Sequence, residues 1–208
     1  AEITNPLSRE QAVLRPCLSP SLIRIVANNL NQKQEPVNIF EIAKSFFLNP
    51  AGQVQEIWTL GIAVCGTASR LLRQGAVKDE SSLLHLKGPL EELFARLGIR
   101  EYLFGYPSDA ARVEISIQQE KVGMMMGVAA RQLERFGIKN RDVFVAELNL
   151  EKVFAYAKQD SKFTPLPKYP GISRDTSVML KKEISLAQVI AAIKRQAGPL
   201  LKEAKVVD

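Results

Sequence analysis

Apolar residues along this chain follow the period of a helix in some segments and the period of a strand in others. In residues 18–30 they recur every three or four positions, which predicts a helix with one buried face. Ser19 is the predicted N-cap of this helix, and Pro20 suits its first turn. Residues 37–47 and 55–64 are rich in β-branched and aromatic side chains instead, so they predict two strands.

A turn signal, Asn-Pro-Ala-Gly at residues 49–52, separates these two strands and predicts that they pair antiparallel. Farther along, the predicted helices cover residues 82–97, 131–136 and 150–157, and the predicted strands cover residues 113–117, 121–128 and 142–148. Gly98 and Gly137 follow two of these helices, where C-capping glycines are common.

Residues 159–170 carry three prolines among polar neighbours, which is typical of a linker. After it the pattern predicts a strand at residues 172–180, a helix at residues 185–196 capped by Ser185, and the start of a strand at residues 204–207. This β-α-β order opens a ferredoxin-like unit without completing it. The predicted domains are therefore residues 1–158 and 171–208.

Composition places the chain among ordinary globular domains: 208 residues, 46% hydrophobic and 24% charged. The longest uncharged apolar stretch, residues 57–66, is about half the length that a membrane helix needs. The net charge of +6 is uneven, since residues 160–208 hold 9 basic and 5 acidic side chains. A basic module at one end suits a polyanion such as nucleic acid, and solubilising surface charge is the equally good alternative.

The cysteines and the histidine give little indication of a metal-binding or catalytic site. Cys17 and Cys65 are too few for a disulfide framework or a four-thiolate zinc site, and they predict small buried side chains in a reduced compartment. The single histidine, His85, is predicted to lie on the surface or in a helix cap. Since the chain starts without Met and without a signal pattern, we expect a piece of a longer cytoplasmic protein.

No segment has the spacing of a catalytic or metal-binding motif such as a phosphate loop or His-Glu-x-x-His. Adjacent carboxylates at Glu91 and Glu92 would point to different sides of their helix, which favours a solvated face over an acid–base pair. Methionines 124–126 lie in a predicted strand, whose alternation prevents three sulfur ligands from converging. They are predicted to fill the core.

A set of short motifs, in order along nearly the whole chain, resembles the β-subunit family of bacterial phenylalanyl-tRNA synthetases. The motifs are residues 5–8 (Asn-Pro-Leu-Ser), 13–16 (Val-Leu-Arg-Pro), 37–42 (Val-Asn-Ile-Phe-Glu-Ile), 87–91 (Lys-Gly-Pro-Leu-Glu), 97–99 (Leu-Gly-Ile), 143–150 (Val-Phe-Val-Ala-Glu-Leu-Asn-Leu), 168–170 (Lys-Tyr-Pro) and 174–175 (Arg-Asp).

The resemblance implies an α+β fold. Residues 1–158 would form the second half of a catalytic-like module with class II synthetase architecture, an antiparallel sheet flanked by helices. Residues 171–208 would begin a ferredoxin-fold anticodon-binding domain. The implied partners are the synthetase α subunit, in an α2β2 complex, and tRNA-Phe. ATP and magnesium would be used by the whole complex, and the implied location is the cytoplasm, away from membranes.

The same resemblance implies a degenerate site. Phe47 stands where the second class II motif needs an Arg for the ATP α-phosphate. In the third motif, Glu147 and Asn149 take the positions of glycines on which adenine would lie. Lys152 takes the position of a stacking Arg, and lysine has no flat guanidinium. The resemblance therefore implies a segment without its own catalytic residues or bound cofactor.

For tRNA contact, the resemblance implies a set of basic and aromatic residues around the start of the second domain. They are Lys168, Tyr169, Arg174, Lys181 and Lys182. Flat side chains and cations suit unstacked bases and phosphates. The alternative is structural: Arg174 pairs with Asp175, and Tyr169 packs between domains.

Two other functions stay open from the residues. One is a stand-alone class II synthetase-like enzyme that forms an adenylate of a small acid, which would need the missing Arg and glycines. The other is a structural or interaction domain unrelated to translation, which the ordered motifs disfavour.

Overall fold

The computed structural model describes residue 5 and residues 12–72, 75–80, 82–105, 112–158, 170–181, 184 and 186–204. The chain divides into two compact units, Ala1–Lys162 and Phe163–Asp208. None of the helices in the described residues is long and apolar enough to cross a membrane.

The first unit is built on a six-stranded sheet in which every neighbouring pair is antiparallel. Its strands are β1 Val37–Leu48, β2 Val54–Cys65, β5 Tyr102–Gly105, β6 Arg112–Ile117, β7 Glu120–Gly127 and β8 Val143–Asn149. Their order across the sheet is β1-β2-β8-β7-β6-β5. A separate hairpin, β3 Thr67–Leu72 with β4 Gly75–Glu80, was not predicted from the sequence.

Helices cover both faces of this sheet. They are α1 Ser19–Asn31, α2 Leu83–Arg96, α3 Ala130–Glu134 and α4 Leu150–Ala155. The hydrophobic core under α1 includes Ala63 and Val145 of the sheet, whereas the core under α2 includes Val64 and Ala146. Since successive strand residues point to opposite faces, the two helices cover opposite sides, which we call the α1 face and the α2 face.

Gly61 shows how closely α1 approaches the sheet. A Cβ built on Gly61 would lie 2.7 Å from Leu22 Cδ1 and 3.0 Å from Leu18 Cβ. Both leucines are fully buried. The absence of a side chain at this point of β2 therefore lets the first turns of α1 pack directly on the backbone.

Most predicted elements of the first unit are confirmed, with one correction at a helix start. Ser19 is not an N-cap: the N-cap residue of α1 is Leu18, which makes no side-chain cap hydrogen bond. The Ser19 hydroxyl instead donates to Glu147 Oε1, because a carboxylate from β8 faces this helix start. At α2 the capping residues are Ser82 and His85, which form a reciprocal capping box.

The second unit differs from its prediction. Residues 170–181 have no regular secondary structure and are exposed throughout, so the predicted strand at residues 172–180 is wrong. A strand needs a hydrogen-bonded neighbour, and no described residue pairs with this segment. The predicted helix is confirmed as α5, Leu186–Ala197, followed by a 3-10 turn at Gly198–Leu200. Ser185 and residues 205–207 lie outside the described residues.

Candidate functional site

Glu147 ties β8 to the start of α1. Its Oε1 accepts hydrogen bonds from the backbone N–H of Leu18 at 3.0 Å and of Ser19 at 2.6 Å, as well as from the Ser19 hydroxyl. A carboxylate at a helix N-terminus satisfies N–H groups that lack partners within the helix, and the helix dipole favours its charge. Glu147 thus acts as the cap that Ser19 was predicted to be.

Asn149 and Lys152 are also engaged within the fold. The Asn149 side-chain oxygen accepts from the Lys152 backbone N–H at 3.0 Å, which caps α4. The Lys152 Nζ lies 2.7 Å from Glu120 Oε1 and donates to the Lys121 carbonyl at 3.3 Å. Glu147, Asn149 and Lys152, which we call the third-motif segment after the motif that the resemblance implies, therefore make contacts that hold β7, β8 and the two helices together.

Glu120 is the shared acceptor of a small surface cluster. Its second oxygen accepts from the Tyr156 hydroxyl at 2.8 Å. Hydrogen bonds from Lys152 and Tyr156 lower the pKa of the Glu120 carboxyl below its ordinary value. The same hydrogen bond raises the pKa of the Tyr156 phenol, because the carboxylate favours the protonated donor.

Phe47 lies apart from these residues. It is 44% exposed next to the turn of the β1–β2 hairpin, opposite Gln55. The register places Asn149 opposite Thr59, which lies opposite Ala43. Phe47 is four residues farther along β1, roughly 13 Å away at strand rise. The structure thus brings Glu147, Asn149 and Lys152 together on β8 and α4, and it does not bring Phe47 to them.

The α1 face does not fit a nucleotide at the third-motif segment. Leu18 and Leu22 already pack against Gly61, directly opposite Glu147 in the sheet. The Glu147 carboxylate faces the helix start, so it would also repel a phosphate. No group of three metal-ligating side chains occurs among the described residues.

Residues predicted for tRNA contact are only partly described. Arg174 and Lys181 are exposed, in the segment without regular secondary structure. Lys168, Tyr169 and Lys182 lie outside the described residues. Arg174 and Asp175 make no ion pair with each other.

The remaining chemical groups have structural roles. Glu91 and Glu92 pair with Lys87 and Arg96 one helical turn away. Met125 is buried in the core of the α2 face. Both cysteines are free thiols, and burial raises the pKa of the Cys65 thiol to about 11, which keeps it protonated and unreactive.

The β1–β2 hairpin carries an exposed apolar surface whose location the sequence pattern did not predict. We call it the hairpin patch; it consists of Phe40, Ile42, Leu48, Val54 and Trp58, which are 72%, 52%, 63%, 46% and 46% exposed. The register places these five side chains on the α2 face. The alternation of Phe40 and Ile42 was a usable signal, but it predicts a buried face and not an exposed one. Large exposed apolar side chains grouped on one face, here around the Lys44–Glu56 ion pair, are typical of interaction surfaces.

A polar cleft of about 880 Å³ is lined by residues from α3, from the loop after it and from the ends of strands. Its guanidinium, Arg141, donates to both Glu35 oxygens, at 3.0 and 3.2 Å. Lys139 also lines the cleft, and none of the sequence-predicted site residues does.

Three comparisons with known proteins bear on this geometry. The sequence model of the phenylalanyl tRNA synthetase beta chain CLM domain matches residues 1–150. The phenylalanine–tRNA ligase beta subunit of Fusobacterium nucleatum is 32% identical over all of this chain and 27% of its own length. That of Thermotoga maritima is 29% identical over 99% of the chain and 26% of its length.

Solved structures show the fold. A pyrrolysyl tRNA synthetase from Desulfitobacterium hafniense superposes with a TM-score of 0.51 over 76% of this chain and 58% of its own, at 18% identity. The chain spans about a quarter of the length of the curated relatives that it matches. On the match over residues 1–150 and the family's motifs in order, the chain belongs to the phenylalanyl-tRNA synthetase β chain family.

Proposed function

We propose that this chain is a structural part of the β subunit of a phenylalanine–tRNA ligase, an enzyme that charges tRNA-Phe with phenylalanine at the expense of ATP. It contributes no catalytic residue of its own. The observation that carries this proposal is the Glu147 carboxylate bound to the backbone of Leu18 and Ser19. In the proposed alignment Glu147 takes a position that an active class II site keeps as glycine, and its carboxylate holds a helix to the sheet.

The complex, and not this chain, would use ATP and magnesium. The partner is the α subunit, in an α2β2 assembly in the cytoplasm. Two facts support a multi-chain setting: the relatives are beta subunits by name, and the hairpin patch exposes five large apolar side chains.

Residues 171–208 are proposed as the beginning of a ferredoxin-fold anticodon-binding domain, after a linker at residues 159–170. The support is that the relatives match 99–100% of this chain, beyond the family segment at residues 1–150. Exposed Arg174 and Lys181 suit tRNA phosphates. Lys168, Tyr169 and Lys182 are proposed as further contacts.

Phenylalanine-dependent exchange of pyrophosphate into ATP tests the absence of a site. The purified chain alone is expected to show no exchange above a blank. Exchange is expected only in a complex with the α subunit, which supplies the catalytic residues. Exchange by the chain alone would overturn the proposal. It would favour the alternative of a stand-alone adenylate-forming enzyme, and exchange with another small acid would do the same.

Anticodon stem-loop binding tests the tRNA residues separately. In a ligase complex whose β subunit carries Lys181→Ala and Lys182→Ala, affinity is expected to fall and its salt dependence to become shallower. Arg96→Ala, at an exposed cation on α2 paired with Glu92, is the matched control. Unchanged affinity and salt slope in the double variant would show that these lysines are surface charge.

A further inference from the structure

A short stretch of chain, residues 156–158, leads from α4 toward the second unit, and we call it the exit segment. α4 ends at Ala155, and the N–H groups of the first two exit residues still donate to carbonyls of its last turn, at 3.1 Å each. Lys158 is the last residue described before the linker proposed at residues 159–170. The contacts of the exit segment therefore decide where that linker begins.

The end of α2 is built from Leu-Gly-Ile at residues 97–99, one of the motifs that carry the family resemblance. Gly98 has a φ of +69°. Its N–H donates to the Ala95 carbonyl at 3.1 Å, and the N–H of Ile99 donates to the Phe94 carbonyl at 2.8 Å. This is the Schellman arrangement that closes many helices with a glycine. Because Ile99 is only 4% exposed, the turn is fastened to the core of the first unit.

This helix end also holds the exit segment. The Lys158 N–H donates at 2.8 Å to the carbonyl of Leu97, the C-cap residue, and such terminal carbonyls have no partner within the helix. A Cβ built on Gly98 would lie 2.6 Å from the Lys158 carbonyl oxygen and 3.2 Å from Lys158 Cβ. The glycine therefore lets two backbones meet where a side chain would hold them apart. A second contact, from the Tyr156 hydroxyl to Glu120 Oε2 at 2.8 Å, ties the same segment to β7.

The turn after α3 has the same geometry without this second role. Gly137 has a φ of +77°, and its N–H donates to the Glu134 carbonyl at 3.0 Å. The N–H of Ile138 donates to the Leu133 carbonyl at 3.1 Å, as in a Schellman motif. A Cβ built on Gly137, however, would meet nothing within 4 Å. The backbone conformation alone accounts for the glycine at this turn, whereas Gly98 is also required by the close approach of another segment.

We propose that Gly98 is a positioning residue for tRNA charging. By letting α2 hold Lys158, it fixes the place and direction in which the linker leaves the first unit. A fixed exit narrows the volume that a tethered unit can explore, which raises its effective concentration at a tRNA already engaged by the rest of the ligase. Gly98 itself touches no RNA. The inference rests on the proposed function, in which residues 171–208 begin an anticodon-binding domain.

Hydrogen exchange and relaxation of the backbone amides test the contact in the unsubstituted 208-residue chain. Because its N–H is bonded to Leu97, the Lys158 amide is expected to exchange at least about tenfold more slowly than in an unfolded chain of the same sequence. The order parameters of Ala157 and Lys158 are expected near about 0.85, the value of rigid backbone. An unprotected Lys158 amide, or order parameters below about 0.6, would overturn the proposal.

Gly98→Asn separates the close approach from the turn. Asparagine is the side chain that most readily follows glycine at this helix position, so α2 keeps its end, but the new Cβ meets the Lys158 carbonyl. The order parameters of Ala157 and Lys158 are expected to fall below about 0.6 while circular dichroism is retained. Gly137→Asn, with the same turn and open space around it, is the matched control and should leave both values unchanged. Equal order in the two variants would show that Gly98 does not hold the exit segment.

Charging kinetics of a complete ligase test the positioning role. With Gly98→Asn in the β subunit, the KM for tRNA-Phe is expected to rise at least about threefold, because the tethered unit is presented less often. Phenylalanine-dependent pyrophosphate exchange, which involves no tRNA, should stay unchanged, and Gly137→Asn should alter neither quantity. An unchanged KM for tRNA in Gly98→Asn would overturn the positioning role and leave the proposed function intact. Failure of the unsubstituted ligase to charge tRNA-Phe would instead overturn the proposed function, and this inference with it.

Discussion

The two segments that we propose to correspond to the second and third class II motifs differ in what they do in this fold. On the third-motif segment, Glu147, Asn149 and Lys152 each make contacts that fix a helix or a neighbouring strand. On the second-motif segment, Phe47 is 44% exposed at a hairpin end. On the proposed alignment, a site position takes a structural role where it lies beside a helix start. It has no such role where it lies at the edge of the sheet.

The largest effect is expected where the third-motif strand meets β7. A Cβ built on Gly123 would lie 2.3 Å from the Glu147 carbonyl oxygen, a backbone atom that cannot move aside. Gly123→Ala should therefore lower the free energy of unfolding by about 3 kcal/mol. Urea unfolding followed by Trp58 fluorescence measures it. Gly105→Ala, whose Cβ would meet nothing closer than 4.0 Å, is the control; equal loss in both variants would contradict this explanation.

The next largest effect on the free energy of unfolding is expected at the Glu147 cap. Glu147→Ala leaves the Leu18 and Ser19 N–H groups without their acceptor, and should cost about 2 kcal/mol. Glu147→Gln keeps an acceptor and should cost about half as much. Glu114→Ala removes a strand glutamate that pairs only with exposed Lys121, and should cost under about 0.5 kcal/mol. If Glu147→Ala cost no more than Glu114→Ala, the carboxylate would not be structural.

The Glu120 cluster gives a pH dependence. Since folding lowers the pKa of Glu120 through Lys152 and Tyr156, its ionised form stabilises the fold. That contribution is complete above the ordinary pKa of 4.5 and is lost as pH falls through the lowered folded value. In urea unfolding between pH 3 and 6, the free energy of unfolding should fall less steeply with decreasing pH in Glu120→Gln than in the original chain. Parallel pH curves would show that the cluster contributes nothing.

The smallest effect is expected at Phe47. Because its side chain is exposed at a hairpin end, Phe47→Arg should change the free energy of unfolding by less than about 0.5 kcal/mol. It should also fail to create ATP binding, since the third-motif segment is occupied by Leu18 and Leu22. A stability loss comparable to that of Glu147→Ala would remove the contrast between the two segments.

The sequence patterns predicted most helices and strands of the first unit, because the hydrophobic period of each element is contained in its own stretch of sequence. Residues 18–30 and 82–97 carry complete helical stripes, and both appear as helices within a residue or two. The capping role of His85 and the pairing of residues 37–47 with 55–64 were also predicted and are confirmed.

What the patterns missed depends on residues far apart in the chain. Ser19 has the composition of an N-cap, but Glu147, 128 positions away, decides its hydrogen bond. Residues 172–180 have strand-forming side chains, but a strand forms only with a partner that local composition does not report. Phe40 and Ile42 alternate as if buried on one face, and only the edge position of β1 exposes them. The roles of Phe47, Asn149 and Lys152 in a former site stay predictions.

Titration of the isotopically labelled chain with ATP and magnesium, followed by the backbone amide spectrum, tests the central claim most directly. The account predicts that the amides of Glu147, Asn149 and Lys152 do not shift in a saturable way up to several millimolar ATP, because the α1 face there is filled by protein. Saturable shifts at these three amides with a Kd below about 100 μM would show a working nucleotide site and contradict the account.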